Sequence, residues 1–132
     1  MLQLRPGCDA VASDVCVPIA RLADALTQSE AKATEMGLVA PTVSHAGDGN
    51  FHATVLVNME DAAEVAKAKE FISWLNDMAI GMEGTCTGEH GIGQGKRPYL
   101  VRELGAETLA VMGAIKKALD PDNIMNPGKI FM

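Results

Sequence analysis

The sequence predicts an α+β fold, and three of its features support this prediction. Short runs rich in valine and other β-branched residues alternate with longer segments in which apolar residues recur every three or four positions. Glycine-rich turns separate several of these segments. With 132 residues, 48% of them hydrophobic, the chain is large enough to bury a core of its own.

The first predicted elements are a strand, a helix and a second strand. Residues 13–17 form a short apolar run that ends at Pro18, a residue that is well tolerated in the first position of a helix. The helix that follows is predicted to end at Gly37, and residues 38–44 are predicted to be extended. The apolar positions with helical spacing are Ile19, Leu22, Ala23 and Leu26.

A turn and a strand–helix pair come next. The glycines and asparagine of residues 46–50 are typical of a turn, and residues 52–58 are apolar and β-branched like a strand. A long helix is then predicted over residues 60–80, with Gly81 as its C-terminal cap. Its predicted buried stripe consists of Val65, Ala68, Ile72, Leu75 and Ala79.

The last third of the chain predicts one more extended piece and two helices. Residues 85–87 are predicted to be extended, and residues 98–104 to form a short helix that ends at Gly105. Residues 106–119 form another predicted helix, which the Asp-Pro pair at 120–121 stops. The side chains predicted to face inward are Leu109, Met112, Ile115 and Leu119.

The predicted order of elements is therefore β-α-β-β-α-β followed by a helical tail. This order is typical of the ferredoxin-like split βαβ fold, an antiparallel sheet with helices on one face. Residues 1–132 are predicted to form a single domain. Within it, residues 1–88 are the ferredoxin-like part, and residues 89–132 are a glycine-rich loop and the helical tail.

Charge, hydropathy and cysteine content narrow the range of partners and locations. The net charge of −6 argues against nucleic acid, which requires a basic face. No apolar run approaches the roughly 20 residues needed to cross a bilayer. Three cysteines without CxxC spacing are typical of reduced thiols. A cytoplasmic location is predicted, with peripheral attachment to the inner membrane as an option and a mitochondrial location if the source is eukaryotic.

The three histidines of the chain lie in two glycine-rich segments, HAGDGNFH at residues 45–52 and GEHG at residues 88–91. A hairpin through the first segment would place His45 opposite His52, within reach of one metal ion at about 2.0–2.1 Å. Glu89 would add a carboxylate. Such a two-histidine, one-carboxylate set suits zinc, manganese or ferrous iron.

His90 is the candidate catalytic base. It follows Glu89 directly, and the flanking glycines can turn the chain so that both side chains line one cleft. A neutral imidazole there would take a proton from a substrate hydroxyl whose pKa a metal lowers. In a simple ferredoxin-like sheet, however, the turn at residues 46–50 and the end of the fourth strand lie at opposite ends. Convergence therefore requires an offset fourth strand or a loop that folds back across the sheet.

Other interpretations of these segments stay open at this point. Taken alone, each segment is more typical of a glycine-rich turn than of a site. The chain would then be a stand-alone ferredoxin-like binding or regulatory module. A metal-dependent hydrolase or oxygenase with the same three ligands is a third possibility, although no HExxH helix motif supports hydrolysis.

Three ordered motifs resemble the C-terminal domain of FAD-linked oxidases. They are HAGDGNFH at residues 45–52, GTCTGEHGIG at residues 84–93 and LDPDNIMNPGK at residues 119–129. Within that family, the chain is most similar to the branch that contains cytochrome-type D-lactate dehydrogenases and the flavin-linked glycolate oxidase subunits. The segment DVCVP at residues 14–18 also matches this branch. The resemblance covers nearly the whole chain.

The resemblance implies the substrate-side cap of a two-domain flavoprotein, whose FAD is bound mainly by an N-terminal domain absent from this sequence. His45, His52 and Glu89 would be the ligands of a divalent metal, zinc or manganese. His90 would remove the proton of the 2-hydroxyl of a small D-2-hydroxy acid while hydride passes to FAD. Asn126 would lie near the flavin, and cytochrome c or a quinone would accept the electrons.

Two departures from the family bear on function. The glycine-rich loop for the FAD pyrophosphate and an upstream arginine for the substrate carboxylate are absent from the sequence, and Arg5 does not obviously replace the latter. The chain is therefore predicted to be inactive alone. Relatives that act on D-2-hydroxyglutarate carry an asparagine where this chain has Thr54, which disfavours a dicarboxylate. A cap without its partner domain exposes an interface, so a homodimer is a further expectation.

Overall fold

The computed structural model describes residues 1–131 and divides into two compact units, Met1–Glu89 and His90–Met132. The first unit contains an antiparallel sheet and two helices. The second contains a long, interrupted helix and the C-terminal tail. None of the helices described combines the length and the apolar character that a membrane span requires.

The sheet of the first unit is built around one long central strand. Its strands are β1 (Asp9–Ala12), β2 (Val15–Cys16), β3 (Thr42–His45) and β4 (Asn50–Val57). The central strand is β4, with β1 and β2 along one edge and β3 along the other, all antiparallel to it. The extended piece predicted at residues 85–87 is present only as a single antiparallel bridge, between Thr85 and Cys16 of β2.

The strands β1 and β2 share one register on β4. Ala12 pairs with Thr54 and Val15 pairs with Phe51, so residues 13–14 interrupt a single line of pairing. The sequence predicted only the second part of this line. Asp9–Ala12 was missed because it is short and largely exposed, and therefore carries no apolar alternation.

Two helices cover one face of the sheet, α1 (Leu22–Glu35) and α2 (Ala62–Gly81). Alternate residues of a strand point to opposite faces. The β4 side chains that join both helices in the core are Phe51, Ala53, Val55 and Val57. The opposite face carries the even-numbered residues, among them His52. The predicted α+β, ferredoxin-like architecture is thereby confirmed.

The predicted inner face of the first helix is partly wrong. Leu22 is buried, but Ile19 and Ala23 are exposed, and Ala25 is buried instead. A 3₁₀ turn at Ile19–Arg21 precedes α1. Its tighter winding of about three residues per turn changes which side chains face the sheet.

The second helix begins with a side-chain cap and ends later than predicted. The Asp61 carboxylate accepts hydrogen bonds from the backbone amides of Ala63 and Glu64. At the other end, Gly81 is still helical, and Glu83 takes the left-handed conformation, with φ of 63°. Gly81 is therefore not the cap. Three of the five predicted core positions are buried: Ala68, Leu75 and Ala79. Phe71, which was not among the five, is buried with them.

The second unit confirms the predicted break in its helix. The helix α3 (Arg97–Leu119) is interrupted at Gly105, whose φ of 79° and ψ of 158° are not helical. Ile115 and Leu119, predicted to face inward, are 56% and 74% exposed. The reason is that this unit contains one helix and a tail, which is too little chain to cover every apolar position of that helix.

Candidate functional site

The candidate site lies on the sheet face opposite the helices, where the two histidines of the first motif meet. His45 ends β3 and pairs with Asn50, whereas His52 pairs with Val43. The predicted direct pairing of His45 with His52 is therefore wrong, because the turn occupies four residues. Residues that pair across antiparallel strands share a face, so the two imidazoles still lie diagonally on one face. Their ring centroids are 5.7 Å apart, and the rings are perpendicular.

The glycine in the turn is required by a close backbone contact. Gly49 has φ of 80°, and its carbonyl accepts a hydrogen bond of 3.0 Å from the amide of Val17. A Cβ atom at Gly49 would lie 2.0 Å from the Val17 oxygen. Asn50, which the sequence assigned to the turn, is instead the first residue of β4 and is buried.

Ser13 determines which nitrogen of His52 carries its proton. The amide of Ser13 donates to the carbonyl of Ala53, but the return bond runs from the Ala53 amide to the Ser13 hydroxyl, at 2.9 Å. This frees the Ser13 carbonyl, which lies 3.0 Å from His52 Nδ1. A carbonyl can only accept, so Nδ1 carries the proton and a neutral His52 presents an unprotonated Nε2.

Glu89 reaches the two histidines because the fourth strand is reduced to one bridge. Thr85 pairs with Cys16 at the turn end of the sheet, and Glu89 follows only four residues later. Glu89 Oε1 lies 3.3 Å from His52 Nε2 and 3.9 Å from His45 Nε2. The offset fourth strand is thus the reason that the two motifs converge.

These three side chains have the spacing of a metal ligand set. One ligand atom from each of His45, His52 and Glu89 lies within 4.8 Å of the others. Bonds of about 2.0–2.1 Å in a tetrahedral site place ligand atoms roughly 3.3 Å apart. His52 is 15% exposed, whereas His45 and Glu89 are 52% and 55% exposed. The set is therefore anchored on one side and open to an additional ligand on the other.

A cavity of about 290 Å³ adjoins these three side chains. It is lined by Cys16, His45, Asp48, Asn50, Gly88 and Glu89. The Cys16 thiol donates to the carbonyl of Asp48 at 3.3 Å. Burial raises the pKa of this thiol, and the carboxylates of Asp14 and Asp48 raise it further. A protonated thiol is a poor metal ligand, so the nitrogen and carboxylate donors are the chemically suitable ones here.

His90 and Asn126 belong to the second unit. His90 is its first residue and is followed by Gly91, which has φ of 76°. Asn126 lies in the tail with φ of 49° and lines a cavity of about 400 Å³ together with Lys116, Lys129 and other residues of that unit. Their roles as base and as flavin neighbour stay predictions.

Arg5 has a structural role in the first unit. Its guanidinium donates to the carbonyl of Leu56 at 3.0 Å and forms an ion pair with Glu64. The hydrogen bond from Arg5 holds the pKa of the Glu64 carboxyl below its usual range. Arg5 therefore ties the N-terminal segment to β4 and α2, and it is engaged away from the ligand set.

Three polar residues beside the candidate ligands were missed as functional candidates: Ser13, Asp14 and Asn50. Asp14 is 1% exposed, although aspartate is rarely buried without partners. The available signal was an acidic residue next to an apolar run, in the segment DVCVP at residues 14–18. Asn50 was hidden by its position next to two turn glycines, which favoured a turn assignment.

Comparison with known proteins places this chain in a family. The family model described as FAD linked oxidases, C-terminal domain, matches residues 1–130. The chain belongs to this family. The sequence-based resemblance is thereby confirmed, and the motif that carries His45 and His52 lies within the matched region.

Several relatives that match nearly the whole of this chain carry names that describe an enzyme activity. A probable mitochondrial D-lactate dehydrogenase of Danio rerio is 45% identical over 130 residues. A mitochondrial, cytochrome-type D-lactate dehydrogenase of Arabidopsis thaliana is 42% identical over 128 residues, and the glycolate oxidase subunit GlcD of Bacillus subtilis is 35% identical over 131 residues. These matches cover 98%, 97% and 99% of this chain but only 26%, 23% and 27% of the relatives. The chain therefore spans about a quarter of their length.

A solved structure supports the fold independently. The 4-ethylphenol oxidase of Gulosibacter chungangensis, in complex with isoeugenol, aligns with 98% of this chain and 26% of its own, with a TM-score of 0.65. The sequence identity is 14%, so this likeness concerns the fold alone.

Proposed function

We propose that this chain is the substrate- and metal-binding cap of an FAD-dependent D-2-hydroxy acid dehydrogenase. In this proposal His45, His52 and Glu89 bind a divalent metal, zinc or manganese. The substrate is a small D-2-hydroxy acid such as D-lactate, which becomes the 2-oxo acid. The names of the relatives, which describe D-lactate dehydrogenases and a component of glycolate oxidase, support this substrate class.

One observation carries the metal part of the proposal. His52 Nε2 and Glu89 Oε1 are 3.3 Å apart, and the Ser13 carbonyl already engages the Nδ1 proton of His52. Two acceptors that face each other at this distance repel unless a cation lies between them. A proton on Nε2 would be one such cation. A divalent metal would be another, and it alone also engages the second imidazole, His45.

Each ligand has a separate task in this arrangement. His52 is held by the Ser13 carbonyl and would be the best-ordered of the three residues that hold the ion, since an imidazole oriented through its other nitrogen is the usual form of such a ligand. His45 and Glu89 are about half exposed and leave coordination positions open. A bound divalent metal would act as a Lewis acid that lowers the pKa of a substrate hydroxyl.

The proton of the 2-hydroxyl would be taken by His90, the residue directly after Glu89 in the chain. FAD, held mainly by a separate N-terminal domain, would accept the hydride, and Asn126 would lie near the flavin. Cytochrome c or a quinone would then accept the electrons. The name of the cytochrome-type Arabidopsis relative supports the first of these acceptors. Names of relatives that include the word mitochondrial support that location for a eukaryotic source.

The chain is proposed to be inactive without its partner domain. A 2-hydroxy acid carries a carboxylate that needs a cationic partner. None of the six residues lining the 290 Å³ cavity is a lysine or an arginine. Arg5 is paired with Glu64. The group that binds the carboxylate, like the flavin, is therefore expected outside the first unit of this chain. A homodimer through the face that the partner domain would cover stays an expectation.

Calorimetric titration of the chelator-treated chain with Zn²⁺ or Mn²⁺ tests the metal site. We expect about one equivalent to bind, and His52→Ala or Glu89→Ala to weaken binding by about 100-fold or more, because each removes a direct ligand. The matched control is Glu30→Gln, an exposed glutamate of α1 on the helical side of the unit. Wild-type affinity in both ligand variants would refute the assignment.

Co-expression with an FAD-binding domain of the family tests the reaction. D-lactate should reduce an artificial electron acceptor, and L-lactate should not. His90→Ala should lower kcat by at least about 100-fold if His90 is the base. A near-normal rate in that variant would reject His90 as the base while leaving the metal ligands untouched.

A further inference from the structure

Asp14 connects the segment that carries Glu89 to the sheet. Its carboxylate is 1% exposed and lies where the pairing of β1 and β2 with β4 is interrupted. It accepts hydrogen bonds from the Gly88 amide at 3.0 Å and from the Glu89 amide at 3.1 Å. The Thr87 hydroxyl donates to the same oxygen at 3.0 Å. Three consecutive residues are therefore bound by one carboxylate.

The Asp14 carboxylate takes the place of the ladder hydrogen bonds that a longer fourth strand would make. Thr85 makes the only ladder bridge between this segment and β2 in the part of the chain that the structure describes. An extended segment of this length would normally be fixed by further ladder bonds. Here the amides of Gly88 and Glu89 donate to a side chain instead, and hydrogen bonds to a charged acceptor are stronger than those between neutral groups.

Asn50 fixes the orientation of the Asp14 carboxylate. Its Nδ2 donates to Asp14 Oδ1 at 2.8 Å and to the Val15 carbonyl at 3.0 Å. Both partners are acceptors, so the amide orientation is determined. Gly88 lies directly on this amide, and a Cβ there would be 1.7 Å from Asn50 Nδ2. The segment therefore cannot approach the sheet in this way with any other residue at position 88.

We propose that Asp14 is a positioning residue, which fixes the backbone of Glu89 so that its carboxylate meets His52 and His45. This proposal rests on the proposed function, because it assigns Asp14 a task at the same metal site. It predicts that the geometry exists before metal binds. Loss of Asp14 should therefore release Glu89 even in the metal-free chain.

The test uses Asp14→Asn, which keeps the shape of the side chain but replaces one accepting oxygen with a donor. We expect the Kd for Zn²⁺ to rise by about 10- to 100-fold, the usual range for residues that orient a ligand. Hydrogen exchange of the Gly88 and Glu89 amides in the metal-free chain should accelerate by at least about 10-fold. Both measurements are made where each variant is fully folded.

The matched control is Asp120→Asn in the second unit. Asp120 is also buried and accepts from two consecutive amides, those of Ile124 and Met125. This variant should keep the Zn²⁺ affinity within about twofold of wild type. If Asp14→Asn fails to fold, Thr87→Val, which removes one donor to Asp14, takes its place. It should raise the Kd several-fold.

The outcomes separate the two proposals. Wild-type affinity together with wild-type exchange at Gly88 and Glu89 in the Asp14 variant would overturn the positioning role. A wild-type chain that binds no metal would refute the metal site. In that case faster exchange in the Asp14 variant would still support the positioning of Glu89, and unchanged exchange would overturn it as well.

Discussion

Asp14 in the first unit and Asp120 in the second are two buried carboxylates. Each accepts hydrogen bonds from two consecutive backbone amides. Asp120 receives the amides of Ile124 and Met125, only four and five residues away, and pairs with Lys116 of its own helix. Asp14 receives the amides of Gly88 and Glu89, 74 and 75 residues away. The chemistry of the two contacts is the same, but their range along the chain differs.

That difference distinguishes a local helix stop from a connection between distant segments beside the candidate site. The Asp120 contacts end a helix and turn the tail, and they need no other part of the fold. The Asp14 contacts depend on the pairing of β2 with β4, because Asn50, the first residue of β4, orients the carboxylate. We therefore expect substitutions around Asp14 to change both stability and metal binding, and substitutions around Asp120 to change stability alone.

The largest effect is expected from Gly88→Ala. Its Cβ would lie 1.7 Å from Asn50 Nδ2 and 2.7 Å from Asp14 Oδ1, so the segment must move away from the sheet. Urea unfolding should show a loss of about 3 kcal/mol in the free energy of unfolding. The affinity for Zn²⁺ should fall by about 100-fold.

Gly47→Ala in the neighbouring turn is the matched control for this change. A Cβ at Gly47 meets nothing within 4 Å, so this variant should stay close to wild type in both measurements. Equal effects of the two alanines would show that the close contact at Gly88 is unimportant. They would also contradict the expectation that the contacts around Asp14, unlike those around Asp120, affect metal binding.

A smaller effect is expected from Ser13→Ala. Without the hydroxyl, the Ala53 amide should return to the Ser13 carbonyl and compete with His52 Nδ1 for that acceptor. Zn²⁺ affinity should fall by about 10-fold, as for other losses of a group that orients a ligand. Thr27→Ala, which removes an exposed helical hydroxyl, is the control. Calorimetry that finds both variants equal to wild type would contradict this role of Ser13.

The Asp120 contact predicts a pH dependence of stability. The hydrogen bond from Lys116 lowers the pKa of Asp120 from its ordinary value of 3.8, and the two amides act in the same direction. A lowered folded-state pKa stabilises the fold above the unfolded-state pKa, and this contribution is lost as the pH falls through the folded-state pKa. The Tm difference between wild type and Asp120→Asn should therefore be full at pH 6 and shrink below about 3.8. A difference that grows on acidification would contradict this reasoning.

The smallest effect is expected from Asp61→Ala, a third carboxylate that accepts from backbone amides. It caps α2 through Ala63 and Glu64 at 2.9 and 3.2 Å. Its loss should reduce the free energy of unfolding by about 1 kcal/mol, as for other N-caps. Zn²⁺ affinity should not change. Weaker metal binding in this variant would show that local caps also affect the site.

The elements that the sequence could predict are those whose signals are local. The helix break at Gly105 and the stop at Asp120 were predicted because glycine and the Asp-Pro pair act on the nearest residues. The convergence of His45, His52 and Glu89 was expected only from the resemblance. The strand order alone placed the two motifs at opposite ends, because nothing in the sequence indicates that the fourth strand is one bridge long.

The contacts that sequence patterns could not reveal are those between distant segments. Asp14 looked like one charge beside an apolar run, and Asn50 looked like a turn residue. Their roles depend on a hydrogen bond between positions 36 residues apart. The prediction that Ile115 and Leu119 face inward was wrong for a different reason. Helical spacing shows which side chains share a face, but it does not show whether anything in the same unit covers that face.

The most direct test of the proposed metal site is a crystal structure of the chain grown with one equivalent of Zn²⁺, with anomalous data collected at the zinc edge. We predict one strong peak about 2.0–2.2 Å from His45 Nε2, His52 Nε2 and Glu89 Oε1, with His52 Nδ1 still bound to the Ser13 carbonyl. A peak bound by other residues, or no peak at these three side chains, would contradict it.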